Sequence, residues 1–149
     1  MAHLHTTHHH HHSIQDLGGI TDFLERFSLH AHWLLRASLA SVFIFHGAGK
    51  FANLAGFASM MELPMGIAFL VALAEVGGGL LILLGGMMDD WMTRLGGAAI
   101  IPVMLGAITM VHWGRWNFVP SDTHPMGGME FQVVLLLIAL YFVFRGNKV

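Results

Sequence analysis

The sequence predicts an all-α integral membrane protein, a four-helix bundle with an N-terminal amphipathic interfacial helix. Of its 149 residues, 55% are hydrophobic and only 11% are charged, and the mean hydropathy is +0.64. Soluble domains carry about 25% charged residues, so a soluble fold of this size could not cover its core. The apolar runs are also too long, and alternate too little, for the strands of a membrane barrel.

Composition narrows the chemistry that the chain can perform. The chain has no cysteine, which excludes disulfides, thiol redox chemistry and iron–sulfur ligation by cysteine. Its net charge of −2 gives no basis for nucleic-acid binding. Any redox role must therefore use a bound cofactor or a diffusible carrier.

The N-terminus holds two segments that precede the apolar runs. Residues 1–12 form a polar tail with five consecutive histidines, His8 to His12, which we predict to be disordered. A histidine run in such a tail is more often incidental than catalytic, so we assign it no metal site. In residues 13–30, apolar side chains recur at helical spacing with charged residues between them. This pattern predicts an amphipathic helix lying on the membrane surface.

Four apolar segments follow, and each approaches the ~20 residues that span a bilayer as a helix. They run from Trp33 to Phe51, Met65 to Met88, Leu95 to Trp113 and Met129 to Phe144. Together they define a four-helix transmembrane domain over residues 31–146. Arg36 lies inside the first segment, and we expect its side chain to snorkel toward the headgroups. Residues 52–63, between the first two segments, predict a short surface or re-entrant helix.

The lysine and arginine positions predict the orientation of these helices. Of the seven, all but Lys50 and Arg115 fall on one side of the membrane. The positive-inside rule then places both termini in the cytoplasm, in a multi-pass protein of the inner (plasma) membrane. We expect Lys50 to anchor in the outer headgroups by snorkelling.

Four ionisable side chains lie within the predicted spans, where charge is expensive and usually functional. They are His46, Glu75, His112 and Glu130. Glu75 falls about 15 Å into its helix, and the small residues Ala72 and Gly79 share its face. Faces of small residues pack against other helices. We therefore expect Glu75 to point into the bundle, with His46 or His112 as its partner.

Several interpretations of this polar cluster remain open. The groups could hydrogen-bond only to fix helix register, or they could form an acid–base pocket for a quinone headgroup. His46 and His112 could instead ligate haem or copper, and transport of a proton or small solute is a further possibility. Methionine in membrane helices is usually filler and no cofactor motif is present, so we favour a quinone and predict no metal ligands. The residues that we expect to contact a quinone are His46, Lys50, Glu75, Thr109, His112, Trp113 and Glu130.

Two motifs carry a resemblance to a known family. The first, F-I-F-H-G-A-G-K-F, covers Phe43 to Phe51, and the second, A-E-V-G-G-G-L-L-I-L-L-G, begins at Ala74. In this order and separation, and with a third span that ends in a histidine, they resemble the DoxX/DoxD-like membrane proteins over residues 34–145. The resemblance implies four transmembrane helices, with signature positions at His46, Gly47, Lys50, Glu75, Gly78 and Gly79.

The resemblance also implies a functional class. Some members of the family are small subunits of a thiosulfate:quinone oxidoreductase, and others are tied to membrane redox or oxidative-stress complexes. We therefore predict a small membrane subunit of a quinone-linked redox assembly, at most part of a quinone-dependent oxidoreductase. In the working mechanism, His46, Glu75 and His112 are catalytic and handle the quinone headgroup and its protons.

The alternative is a non-catalytic structural or assembly subunit of a larger respiratory or photosynthetic membrane complex. In that case the polar cluster would serve only to hold the helices together. On either interpretation, the expected partners are the lipid bilayer and other membrane-protein subunits, with no nucleic acid.

Overall fold

The computed structural model describes residues 9–148, with side chains from residue 17 onward, and every regular element in that range is a helix. The helices are α1 (His9–Ser28), α2 (His32–Ala52), α3 (Leu54–Met60), α4 (Met65–Gly85), α5 (Asp90–Ala107), a π-helix (Ile108–His112) and α6 (Glu130–Arg145). The all-α prediction is therefore confirmed for the described residues. The chain divides into two compact units, residues 1–32 and residues 33–148, which are described separately.

The first unit contains α1, which begins within the histidine run rather than after it. Residues 1–8 of the predicted tail lie outside the described residues. Leu17, Ile20, Leu24 and Phe27 follow helical spacing, and each is more than half exposed. A helix thus occupies most of residues 13–30, and its placement on a membrane surface stays a prediction.

The second unit contains two helical segments that are long and apolar enough to cross a membrane, by length and composition. They cover Met65–Gly85 and Asp90–His112, which correspond to the second and third predicted spans. The third begins at Asp90 rather than at Leu95, because an ion pair of 2.6 Å between Asp90 and Arg94 one turn later stabilises a polar first turn. Helices α2 and α6 agree with the first and fourth apolar segments to within one residue at each end.

Helix α4 packs between α2 and α5 through glycines on two of its faces. A Cβ added at Gly79 would lie 3.3 Å from the backbone oxygen of Ala40 in α2, and one at Gly78 would lie 3.1 Å from that of Gly96 in α5. These separations are tighter than ordinary Cβ contacts, so the glycines set how closely the backbones approach. The prediction that Glu75 faces the interior is confirmed, since the residue is only 3% exposed.

The hydrophobic core lies in one half of the second unit, where α2, α4, α5 and α6 meet. Its buried side chains are Leu39, Phe43, Ile82, Ile100, Met104, Leu135, Ala139 and Phe142. We call this half the Arg36 end and the opposite half the Lys50 end. Beyond Phe43, Met104 and Leu135, the helices of the Lys50 end surround a cavity rather than a packed core.

Arg36 is buried within this unit, so the expectation that it snorkels is wrong. The residue is 1% exposed. Its Nη1 donates to the Ile82 carbonyl at 2.7 Å and to the Thr93 hydroxyl at 2.8 Å, and its Nη2 donates to Asn147 Oδ1 at 2.9 Å. The guanidinium also lies 5.0 Å from the ring centre of Phe142. Buried acceptors therefore replace the headgroup contacts that snorkelling would provide.

Replacing Gly96 with alanine is expected to lower the free energy of unfolding by about 2 kcal/mol. The added Cβ would lie 2.8 Å from the Gly78 carbonyl oxygen and 3.0 Å from the Ile82 nitrogen, and these backbone atoms move only if α4 shifts. Reversible unfolding in mixed detergent micelles measures the loss. Gly77→Ala is the control, because its added Cβ meets nothing within 4 Å. Equal losses in the two variants would contradict this account of the packing.

Candidate functional site

The Lys50 end contains a buried ion pair between α2 and α4. Lys50 Nζ lies 2.9 Å from Glu75 Oε2 and donates a hydrogen bond of 3.1 Å to Oε1. The side chain of Glu75 is 4% exposed and that of Lys50 is 21% exposed. The ammonium also lies 5.1 Å from the ring centre of Phe57 in α3. Lys50 therefore turns inward to the carboxylate, and the expectations that it snorkels and that a histidine pairs with Glu75 are both wrong.

Gly47 allows α2 and α4, the helices that carry the two sequence motifs, to approach each other closely. A Cβ at Gly47 would lie 2.7 Å from Val76 Cγ2, 2.9 Å from Glu75 Cβ and 2.9 Å from the Val76 nitrogen, so α2 can approach α4 this closely only because Gly47 has no side chain. Lys50 follows three residues later on the same helical face, which carries its ammonium over the carboxylate. The glycine thus provides the close approach, and the lysine provides the counter-charge.

The ion pair borders a cavity of about 1030 Å³. Helices α2 and α3 line one part of it, the π-helix and α6 line another, and Glu75 reaches it from α4. Its polar side chains are His46, Lys50, Asn53, Glu75, His112 and Gln132. The other lining residues are apolar or glycine. A large, mostly apolar cavity with a few polar groups is the usual form of a small-molecule site.

His112 is held in the cavity wall by the loop that follows it. Its Nδ1 lies 2.9 Å from the carbonyl oxygen of Gly127, and because a carbonyl only accepts, Nδ1 must carry a proton. Nε2 is then the ring atom at which His112 can gain or lose a proton. Gly127 has a φ of +84°, and a Cβ there would collide with the carbonyl oxygen of Phe118, so this turn requires glycine.

A π-helix sets the direction of the His112 side chain. The segment Ile108–His112 continues directly from α5, which contains Pro102 in its interior. Each π-helical turn holds about one residue more than an α-helical turn, so it rotates later side chains by about 100°. His112 is 7% exposed in this conformation. Short π-helical segments occur frequently at functional sites.

The structure brings several of the expected contact residues together at the cavity. His46, Lys50, Glu75 and His112 line it, whereas Thr109, Trp113 and Glu130 are not among the lining residues. His46 is exposed at the cavity rim, with its ring edge-on to Phe45 at 5.5 Å. The Thr109 hydroxyl donates to the Leu105 carbonyl of its own helix at 2.8 Å, and Trp113 is 65% exposed.

The lining residues that the sequence did not single out include Asn53, Phe57 and Gln132. Asn53 caps α3 by accepting a hydrogen bond of 3.1 Å from the Gly56 nitrogen. Phe57 could not be identified as a lining residue from the sequence, because an aromatic residue in a short amphipathic helix is common. Gln132 could have been found, because an amide within an apolar span is uncommon and often interacts with another helix or with a ligand.

The arrangement can hold an oxygen-bearing ring and exchange protons with it. The Lys50 ammonium supplies a donor and the Glu75 carboxylate supplies acceptors. His112 Nε2 adds a ring nitrogen that can accept or donate a hydrogen bond. Among the described residues, no group of three or more histidine, cysteine, aspartate or glutamate side chains is arranged to hold a metal ion.

Comparison with known proteins agrees with the sequence motifs. The DoxX family model matches residues 31–113, which include both motifs and His112. CatD of Bacillus subtilis (strain 168), a protein named provisionally as an oxidoreductase, is 29% identical over 118 residues, covering 77% of this chain and 78% of CatD. No solved structure matches the chain. Because the family match covers more than half of its residues, the chain belongs to the DoxX family of membrane proteins.

Proposed function

We propose that the chain is a small membrane subunit of a quinone-linked redox assembly and that its cavity holds the quinone headgroup. The observation that carries this proposal is the Lys50–Glu75 pair at the edge of an apolar cavity. Charges are costly within a membrane and are usually retained there for function. The oxidoreductase name of CatD supports the same reaction class for this chain.

The cavity suits a quinone in size and in chemistry. Its volume of about 1030 Å³ lies at the upper end of the ~300–1,000 Å³ of small-molecule sites, which leaves space for part of an isoprenoid tail. When bound, a quinone takes up electrons together with protons. Its two carbonyl oxygens need hydrogen-bond donors, and the Lys50 ammonium can supply one of them.

Each polar residue has a separate role in this proposal. His112 keeps one proton at Nδ1 against Gly127, so it exchanges protons with the ligand at Nε2. Lys50 and Glu75 can pass a proton between Nζ and Oε1 across 3.1 Å, which changes the hydrogen bonds that they offer without moving either helix. His46, exposed at the rim, relays protons between the cavity and the membrane surface.

The proposal includes a membrane arrangement. Helices α2, α4, α6 and the α5–π-helix segment each cross the inner membrane, and the Lys50 end faces outward. Both termini then lie in the cytoplasm, in agreement with the distribution of lysine and arginine. Helix α1 lies in the membrane interface, with the exposed side chains of Leu17, Ile20, Leu24 and Phe27 immersed in lipid.

Glu75→Gln tests the role of the site. We expect it to lower the quinone-dependent turnover of the purified assembly by about 100-fold, because the amide cannot accept a proton from Lys50. His46→Ala is expected to have a smaller effect, since His46 lies at the rim. Turnover is measured with a decyl-substituted benzoquinone, and immunoblotting verifies equal insertion. Thr109→Val is the control, since Thr109 bonds only to its own helix. Unchanged turnover in Glu75→Gln would refute the proposal.

A second candidate is a non-catalytic subunit that packs against a larger membrane complex. The observation that favours it is the presence of exposed aromatic side chains on the second unit, with Phe45 at 75% and Phe144 at 76% exposure. Deletion of the chain would then lower the yield of the complex, while Glu75→Gln would leave both yield and turnover unchanged. Purification in mild detergent, followed by identification of copurifying subunits and quinone, separates the two candidates.

A further inference from the structure

Helix α6 places one polar side chain in the wall of the cavity, and the packing of the helix does not explain why a polar residue lies there. From Phe131 to Leu140 every residue of α6 is apolar except Gln132, and Gln132 lines the cavity. Placing an amide in an apolar setting is unfavourable unless its donor and acceptor both find partners. Gln132 also lies outside residues 31–113, the part of the chain that matches the family.

The buried side-chain oxygens of the described residues that lack a hydrogen bond both belong to residues that line this cavity. Among the residues that the structure describes, two buried side-chain oxygens accept no hydrogen bond: Glu75 Oε2 and Gln132 Oε1. Glu75 Oε2 still has an ionic contact, because Lys50 Nζ lies 2.9 Å away, although the angle is unsuited to a hydrogen bond. Gln132 Oε1 has no such contact. The large majority of buried side-chain polar atoms in folded proteins have a hydrogen-bond partner, so a partner for the Gln132 amide is to be sought in the cavity that this residue lines.

We propose that Gln132 is a ligand-binding residue that holds one oxygen of the bound ring in both its oxidised and its reduced state. This inference rests on the proposed function. The oxidised ring presents carbonyl oxygens, which need donors, and the reduced ring presents hydroxyl groups, which can donate. A primary amide offers both an N–H donor and a carbonyl acceptor, and a half-turn about its terminal bond exchanges them. Gln132 can therefore follow the redox state of the ring by rotation alone.

The other polar groups that line the cavity cannot change from hydrogen-bond donor to acceptor without a proton transfer. The Lys50 ammonium only donates, and the Glu75 carboxylate only accepts. His112 must change its protonation at Nε2 to change its role. The Asn53 oxygen already accepts from the Gly56 nitrogen at 3.1 Å. Gln132 approaches from α6, whereas Lys50 and Glu75 approach from α2 and α4. A ring with oxygens on opposite sides can thus be held from different helices.

Binding measurements on the whole protein in lipid nanodiscs test this inference. The probes are a decyl-substituted 1,4-benzoquinone and its hydroquinone, titrated calorimetrically without oxygen, with empty nanodiscs subtracted. Gln132→Met keeps the length of the side chain and removes both hydrogen-bonding groups. We expect it to weaken binding of both probes by about tenfold and to leave their affinity ratio nearly unchanged. Gln132→Leu is a second variant that makes the same prediction if Gln132→Met does not fold.

Val134→Leu is the matched control, because Val134 lies on the same helix, 46% exposed and outside the cavity lining. It should bind both probes as the wild type does. If Gln132→Met leaves binding unchanged, or weakens only one of the two probes, the role of Gln132 is overturned and the proposed function stands. If the wild-type protein binds neither probe, the proposed quinone site is overturned and the inference fails with it.

Discussion

Lys50→Met is expected to lower the free energy of unfolding by about 3 kcal/mol. Glu75, with its side chain 4% exposed, would keep its carboxyl group in an apolar cavity wall without the ammonium that lies 2.9 Å away in the wild type. Removing one partner of a buried ion pair typically costs about 3–5 kcal/mol, because the other charge stays buried and uncompensated. Reversible unfolding in mixed detergent micelles, followed by circular dichroism, gives the difference.

The double variant Lys50→Met with Glu75→Gln separates loss of the pair from loss of packing. It removes both charges, so it should recover to within about 1 kcal/mol of the wild type. Lys148→Met removes an exposed lysine at the C-terminus and should change stability by less than about 0.5 kcal/mol. A double variant that is no more stable than Lys50→Met alone would show that the uncompensated carboxyl group of Glu75 is not the cause of the loss.

Arg36→Met is expected to have an effect of similar size at the other end of the bundle, about 3–4 kcal/mol. The substitution leaves the Ile82 carbonyl without the guanidinium donor that bonds to it at 2.7 Å, and the Thr93 hydroxyl loses its donor at 2.8 Å. Asn147 Oδ1 loses the donor at 2.9 Å and keeps only the Thr93 hydroxyl at 2.6 Å. Each buried polar group left without a partner costs about 1–3 kcal/mol. Asn147 also donates to the Gly85 carbonyl at 2.7 Å, so its release should loosen the junction between α4 and the C-terminal end of α6.

Hydrogen exchange followed by mass spectrometry locates this loss. Amides in residues 143–147 should exchange faster in Arg36→Met than in the wild type, whereas those of α3 should not change. Arg36→Lys is expected to recover only part of the stability, because a single ammonium cannot reproduce the forked geometry of guanidinium. Arg145→Met, at an exposed position, is the control. Uniform acceleration across all helices would point to global destabilisation instead of a local junction.

The helices of the second unit could be predicted from the sequence because long apolar runs determine them directly. Helix α2 and the predicted segment from Trp33 to Phe51 differ by one residue at each end. The start of α5 was missed because hydropathy does not register a polar first turn, which here is stabilised by Asp90 and Arg94. The inward direction of Glu75 was predictable, since the small residues on its face have one physical use in a membrane helix.

The partners of the buried charges were less predictable, because they depend on tertiary distances. Helical depth places Lys50 near a membrane boundary, and a long side chain at a boundary can extend in either direction. The close approach at Gly47 decides the direction, since it brings Glu75 within reach. Arg36 was misjudged for the same reason. Its acceptors, among them Asn147, come from residues that are distant in sequence.

A pocket at His46, Glu75 and His112 was predicted from the sequence, but the size and the other walls of the cavity could not be. They depend on the packing of several helices, on the π-helix, and on a loop whose Gly127 carbonyl fixes His112. None of these features has a periodic signature. Gln132 was not predicted as a site residue, because an amide carries no charge, although a half-buried amide in an apolar helix is a comparable physical anomaly.

The π-helix has a consequence at the level of the gene. In-frame loss of a single codon between those for Ile108 and Val111 would allow the segment to wind as an ordinary α-helix. His112 would then keep its direction toward the Gly127 carbonyl, because the wider π-helical turn accommodates the one residue that the deletion removes. Homologues with one residue fewer between Pro102 and His112 can therefore possess the same site on an ordinary α-helix. The number of residues between Pro102 and His112 is the feature to compare among them.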